Sequence, residues 1–572
     1  MNEQANPSHA RHDDGSAIHL FPPSRFRKPS DREDELEFGC NSPPFRNRGT
    51  SWHYWMPFVS VLTIMGMLSS ISYIIPQQKR LSIPATTAET HNFSSDSAAM
   101  LDPWNDTETL HPESAARMRL HALFTRQSRT LEQAAARYTL KNERSPPPGF
   151  DKWFSFAGER QCLIDDYDQI QRDFEPFYEL ARTDPGHFQQ MVDAGRNMML
   201  RDSRGMVTIK IENGSVQMPP YIGTSFDSDW PRTISRFAEG LPDMEFLLNG
   251  RDEPRVVFDS HAANFRERAL RLTDADPFRI APVPTSEFFK YQSGCDFPIG
   301  SRGFSVNGSD DVAFLRSSSS SDFTTDLWPL LSMAKISPCF SDILLPAQYY
   351  YSDSMWFGSF ARPNIVPWED KKPQLYWRGM SNGGHINGEN YRDFPRFRLI
   401  DLARNHSALI DAKMTAFAET HCNDDCDRAA IIAEYNITGP GAPREEVYQY
   451  KYLLDVDGNT FSGRYLGLLR SGSLVFKSTA FKEYFNDWMR PYEHYVPVRA
   501  DLSDLVEKLE WALEHEEEAR MIQETGRLFA DSLMTDAQND CYLYAVLLEW
   551  ARLQSYANNS TLSSSGNAKL SS

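Results

Sequence analysis

Three segments of this chain end an apolar run with a charged residue among small ones, a pattern that can hold and activate a polar substrate. The first is Pro242-Asp243-Met244-Glu245-Phe246-Leu247-Leu248-Asn249-Gly250-Arg251-Asp252. It delivers a carboxylate to the C-terminal end of a strand, where α/β proteins place their sites. There Asp252 can deprotonate an attacking hydroxyl, or it can close a turn by pairing with Arg251. The second is Tyr376-Trp377-Arg378-Gly379-Met380-Ser381-Asn382-Gly383-Gly384. Its small residues let backbone N–H groups approach a phosphate, and Arg378 can grip it with two parallel hydrogen bonds. A plain glycine-rich loop explains the same residues.

The third segment is Lys451-Tyr452-Leu453-Leu454-Asp455-Val456-Asp457-Gly458-Asn459-Thr460-Phe461-Ser462-Gly463-Arg464. A strand runs into a turn, and Arg464 opens the helix that follows. A helix N-terminus with an arginine is a natural seat for a diphosphate. Asp455 and Asp457 share one face of the strand and are candidate ligands for a divalent metal such as Mn²⁺, or one of them caps the turn. A fourth stretch, Gly472-Ser473-Leu474-Val475-Phe476-Lys477, leads on to Trp488, Tyr492 and His494. These three read more readily as packed side chains than as ligands for a sugar or nucleotide.

The elements that must position these residues are short apolar runs at 244–249, 255–259, 343–345, 375–378, 452–456 and 473–476. Helical patterns lie at 174–181, 397–404, 481–488 and 502–515. Alternation of this kind predicts an α/β fold with parallel sheets, and about 400 residues predict two domains. A helical pattern over 114–141 precedes Pro146-Pro147-Pro148-Gly149, which breaks it. The boundaries expected are a disordered tail at 1–51, an anchor at 52–75, a stem at 76–145, domains at 146–345 and 346–555, and a disordered end at 556–572.

The anchor is an uncharged apolar run over 52–75, long enough to cross a bilayer as one helix. Arginines and lysines flank it about equally, so charge does not orient it. Asn-x-Ser/Thr acceptors do: none precedes the run, while Asn92, Asn105, Asn213, Asn307, Asn405, Asn436, Asn558 and Asn559 follow it. The expected layout is type II, with the body luminal in the Golgi or the ER. Cys40 stands alone in the tail. The even set beyond it allows Cys295–Cys339, Cys422–Cys426 and Cys162–Cys541 as disulfides. A net charge of -19 speaks against a nucleic-acid partner. The chain has no Gly-x-Ser-x-Gly elbow, P-loop, His-Glu-x-x-His or Gly-x-Gly-x-x-Gly fingerprint.

Taken in order, these segments resemble glycosyltransferase family 90, the fungal capsule-associated glycosyltransferases and the protein O-glucosyltransferases of animals. The likeness spans roughly 137–555, from Arg137-Tyr138 and Gly149-Phe150-Asp151-Lys152-Trp153 through the three segments above to His494-Tyr495-Val496-Pro497-Val498. The resemblance implies a GT-B architecture, two Rossmann-like domains facing a cleft, and inverting transfer from a UDP-sugar to a hydroxyl. Asp252 matches the family's base. Arg378 and Arg464 would hold the diphosphate, and Gly379, Ser381, Ser462 and Gly463 would line the phosphate turns. UDP-xylose and UDP-glucose are both expected donors, with a glycan, glycolipid or glycoprotein as acceptor. The other expectation is a silent luminal protein that uses the fold to bind a glycan or to scaffold.

Overall fold

The computed structural model describes residues 112–568, apart from 202–205, 220–228, 271–323, 325, 338–339, 355–365, 385, 387, 420–421, 423–424 and 440. The apolar run at 52–75 and the expected Cys295–Cys339 pair lie outside the described residues. Among those described, no helix is long and apolar enough to cross a membrane.

The strands are β1 (Met206–Glu212), β2 (Ser215–Gln217), β3 (Met244–Asn249), β4 (Leu330–Ser332), β5 (Ile343–Leu344), β6 (Lys372–Met380), β7 (Ile410–Ala416), β8 (Tyr450–Val456), β9 (Leu474–Ser478) and β10 (Val496–Pro497). They form two five-stranded sheets, ordered β2-β1-β3-β4-β5 and β10-β9-β8-β6-β7. The second sheet is parallel throughout. In the first, β3, β4 and β5 run parallel, while β1 pairs antiparallel with both β2 and β3. The mixed α/β fold with parallel strands is consistent with Rossmann-like lobes. Parallel strands covered on both faces need apolar side chains on both, and β8 and β9 supply them: Leu453, Leu454, Val475 and Phe476 are all buried.

Four expectations change on the structure. The run at 255–259 makes only isolated bridges, Val256 with Thr324 and Val257 with Phe340. The Asp342 carboxylate accepts the backbone N–H groups of Arg255 and Val256 at 2.9 Å, taking donors that a strand ladder would use. Residues 481–488 form turns rather than a helix. Thr479 Oγ1 accepts from Phe481 N–H and Asn486 Oδ1 from Glu483 N–H, side-chain bonds that compete with helical ones. The pattern over 114–141 is two helices, Pro112–Thr125 and Leu131–Asn142. Gln127 breaks it by turning in to accept from the N–H groups of Ile164 and Asp165 at 2.9 Å, so this end of the expected stem packs into the body. The last helix, Asp536–Ala568, runs on through most of the segment expected to be disordered.

That last helix also leaves the second lobe and completes the first. The Trp550 indole donates to Glu245 O on β3 at 2.9 Å, and the Trp153 indole donates to Cys541 O at the same distance. A disulfide joins Cys162 to Cys541, and another joins Cys422 to Cys426, as the cysteine positions suggested.

Candidate active site

The C-terminal ends of β3, β6 and β8 bring most of the candidate residues together. Beyond β3, Asn249 folds its amide back onto Glu253 O at 2.6 Å and onto Ser332 Oγ at 3.2 Å. This closes the turn that carries Asp252. The half-buried Asp252 accepts the Tyr349 hydroxyl on Oδ2 at 3.0 Å, and its backbone carbonyl accepts the Thr460 hydroxyl at 2.9 Å. The backbone of the loop that carries this carboxylate thus touches the turn of the second lobe. Its neighbour Glu253 has its pKa raised by burial, against the pull of Arg255 and Arg251.

Beyond β8, residues 457–464 fold into a turn buttressed by Arg396. This buried guanidinium donates to Asp457 O and Met380 O at 3.0 Å and also bonds the Asn382 amide oxygen. Arg396 therefore ties the β6 and β8 turns together. Gly383 adopts φ +116°, open chiefly to glycine, and its N–H reaches Asn459 Oδ1 at 3.2 Å. Gly463 lies so close under Tyr349 that a Cβ there would stand 2.7 Å from the ring. Arg464 opens the short helix Tyr465–Arg470. Its Nη1 donates to Arg378 O at 2.8 Å, while its Nη2 is buried with no partner among the described residues. Ser462 Oγ is buried and without a partner in the same sense.

Arg378 is placed differently from Arg464. Its Nη1 donates to Trp377 O and Asp411 O, and its Nη2 pairs with Asp411 Oδ1 at 2.8 Å. Tyr450 bonds the other oxygen of Asp411 at 2.7 Å. Tyr450 and Arg378 together outweigh burial and hold that carboxyl below its usual range. Ser381 is buried and accepts from Ala418 N–H at 2.9 Å, which fixes the turn. Gly379 is held against Trp377, whose indole a Cβ would meet at 2.6 Å.

Asp455 and Asp457 lie beneath the turn. The register of β8 and β9 sets Asp455 opposite Lys477, and the two pair at 2.8 Å. Asp457 Oδ2 accepts from Ala480 N–H at 2.7 Å. Burial pushes the Asp457 carboxyl up to about 7 and that of Glu483, also near Lys477, up to about 8. Asp455 and Asp457 each give Oδ2 to the fold, while Oδ1 of each is buried without a partner among the described residues. Among the described residues no three His, Cys, Asp or Glu side chains converge to hold a metal. His494 is a packed histidine: Nδ1 accepts from Arg490 N–H at 2.9 Å, the ring leans on Phe529, and burial lowers its pKa to about 4. A separate solvent-open pocket, walled by Tyr138, Phe150, Trp153 and Tyr167, is lined by none of the candidate residues.

Tyr349 and Thr460 were not expected from the sequence. Tyr349 is one of three consecutive tyrosines, and no local pattern marks which of them meets a carboxylate 97 positions away.

Comparison with known proteins fits this geometry. Residues 357–564 match glycosyl transferase family 90. Protein O-glucosyltransferase 2 of Danio rerio is 31% identical over 188 residues, 33% of this chain and 34% of that protein. Human protein O-glucosyltransferase 3 is 32% identical over 181 residues, covering 31% and 34%. Rat protein O-glucosyltransferase 1 is 28% identical over 248 residues, covering 40% and 58%. The chain spans about a third of the length of the first two relatives and somewhat over half of the third. The matched region holds β6 to β10, with both arginines and both turns, and it is a glycosyltransferase family 90 region similar to the protein O-glucosyltransferases.

Proposed function

We propose that this chain is a type II membrane glycosyltransferase that moves glucose or xylose from a UDP-sugar to a hydroxyl with inversion. One observation carries the reading. Asp252 meets Tyr349 and Thr460 where the second-lobe turn presents two buried polar groups, Ser462 Oγ and Arg464 Nη2, that lack partners among the described residues. Buried groups left so are costly unless a ligand satisfies them. The names of the relatives favour glucose and a protein acceptor; a glycan or glycolipid acceptor and UDP-xylose are the other outcomes.

On this reading the two lobes form a GT-B-like cleft. The lobe built on 146–345 faces the acceptor, and the lobe built on 346–555 holds the donor. Asp252 takes the proton of the acceptor hydroxyl as its oxygen attacks the anomeric carbon. The bond from that carbon to the diphosphate oxygen breaks on the opposite face, and the electron pair leaves with UDP. Arg464, held by Arg378 O and aimed by Gly463, offers Nη2 to the charge growing on the diphosphate. Ser462 and Gly463 line the phosphates. Arg378 acts chiefly through its carbonyl, with Gly379 and Ser381 shaping the strand end. The anchor at 52–75 and a luminal body in the Golgi or the ER complete the proposal. The described acceptor asparagines Asn213, Asn405 and Asn436 are all exposed, as luminal glycosylation requires.

The test is release of UDP from a panel of UDP-sugars by the full-length chain in detergent, with and without Mn²⁺ and EDTA. Release from one donor, raised by an acceptor and lost in Asp252→Asn and Arg464→Ala, supports the proposal. Absence of both UDP release and UDP binding would leave a silent scaffold.

A further inference from the structure

We infer that Tyr349 is a positioning residue that locks the Asp252 carboxylate to the donor turn, so that one side chain sets the base against the bound sugar nucleotide. The inference rests on the reading of Asp252 and the turn at 457–464 given above. Tyr349 touches both halves of that site. Its hydroxyl donates to Asp252 Oδ2 at 3.0 Å, and its ring covers Gly463, leaving no room for a Cβ. The ring also meets Phe461 edge-on, with centroids 5.7 Å apart.

The backbone that carries Tyr349 is held on either side. It belongs to a single 3-10 turn, Gln348–Tyr350, directly after β5. Gln348 is buried, with its amide directed at Thr233 Oγ1 at 3.4 Å. Tyr350 is buried and donates to Glu483 at 2.5 Å. With both neighbours fixed, the half-buried Tyr349 side chain has little freedom to leave the carboxylate. The Thr460 hydroxyl on Asp252 O forms a second strut, 2.9 Å long, from the same donor turn. A base must sit within a few tenths of an ångström of its productive place to work well. A threonine of the donor turn and a tyrosine packed on that turn both hold this aspartate, which ties its place to the turn that would hold the diphosphate.

The hydroxyl and the ring separate the two effects. Tyr349→Phe in the full-length chain keeps the ring over Gly463 and deletes the bond to Asp252. It should lower kcat about tenfold, the scale of a hydrogen bond to a charged group, with the donor KM and UDP affinity within about twofold of the parent. Tyr349→Ala also removes the ring, and should lower kcat further and raise the donor KM. Thr460→Val should lower kcat a few-fold, and Thr460→Ser should restore it. Each variant is checked for folding by its melting temperature and by UDP titration. Tyr349→Phe with the parent's kcat, beside an inactive Asp252→Asn, would overturn the positioning role and leave the base assignment standing. Full activity in Asp252→Asn would overturn the base assignment itself. A drop in Tyr349→Phe that appears only in donor KM would overturn the inference too, since it would make Tyr349 a donor contact alone.

Discussion

The loop after β3 and the turn after β8 are built on opposite plans. In the first, the polar groups are engaged within the protein: Asn249 is held by Glu253 and Ser332, Asp252 by Tyr349 and Thr460. In the second, Ser462 Oγ and Arg464 Nη2 are buried without partners among the described residues. A loop satisfied by its own fold is preset. A turn that buries unsatisfied donors gains most when something binds it. On the proposed reading, the base is placed in advance, and the donor completes the other half.

The largest expected effect probes the preset side. Asp252→Asn keeps the shape of the side chain and removes the base, and should lower kcat by about a thousandfold. UDP affinity should stay within about twofold in calorimetric titration, because the turn after β8 is untouched. An equal loss of UDP binding would show that the loop and the turn are not separable. Next is the underside of the turn. Lys477 is buried between Asp455 and Glu483, and their attraction outweighs burial and raises its pKa. Lys477→Met leaves the Asp455 carboxylate buried without its cation, a change expected to cost about 3–5 kcal/mol, read by denaturant unfolding. Arg464→Ala comes third. It should weaken UDP binding by about a hundredfold, or roughly 2–3 kcal/mol for a charge-assisted contact, with little change in melting temperature. Arg464→Lys should recover only part of the loss, since an ammonium lacks the planar fork.

Legibility in the sequence follows the same division. Strands β3, β5, β6, β8 and β9 were visible because buried parallel strands are continuous apolar runs. β1, β2 and β4 of the first sheet and the edges β7 and β10 of the second were missed. β4 is three residues long and β10 only two, too short for any period to show. β7, Ile410–Ala416, alternates buried and partly exposed residues, a half-covered edge pattern weaker than an apolar run. The site was legible where one short segment carries it, as with Asp252 or Ser462-Gly463-Arg464. It was hidden where distant segments meet. The Asp455–Lys477 pair follows from strand register, which neither strand reveals alone. The Tyr349–Asp252 bond follows from how β3 and β5 end on the same side of one sheet.

The buried carboxyls beneath the turn give a smaller, pH-dependent effect. Glu483 is held protonated up to about 8 by burial, whereas in the unfolded chain it ionises near about 4. Below that value both states carry the proton. Between there and 8 only the folded state keeps it, so stability falls as pH rises through the window. Asp457 adds the same slope up to about 7. Lys477 is charged in both states throughout this range and adds none. Glu483→Gln deletes one titration, and its melting temperature should fall less than the parent's between about pH 5 and 8. A slope unchanged by the substitution would mean that Glu483 is ionised in the folded protein.

The smallest effect sharpens the contrast between the two arginines. Arg378 lies on β6 and Arg464 opens the helix after β8, yet of the two only Arg378 has a carboxylate partner among the described residues, Asp411, at 2.8 Å. That pair is partly exposed, at 16% and 28%, so losing it should cost less than about 1 kcal/mol. Asp411→Asn takes the carboxylate from Arg378 Nη2, keeps the carbonyls that Nη1 bonds, and leaves Arg378 O, which orients Arg464, where it is. If Arg378 serves mainly through that carbonyl, UDP affinity in Asp411→Asn stays within about twofold of the parent, the size of a weak surface pair. Tighter binding by severalfold would mean that a released Arg378 reaches the diphosphate, and that Asp411 competes with the donor for it. The two arginines would then form one clamp, closed on the donor side only when the ligand draws Arg378 away from β7.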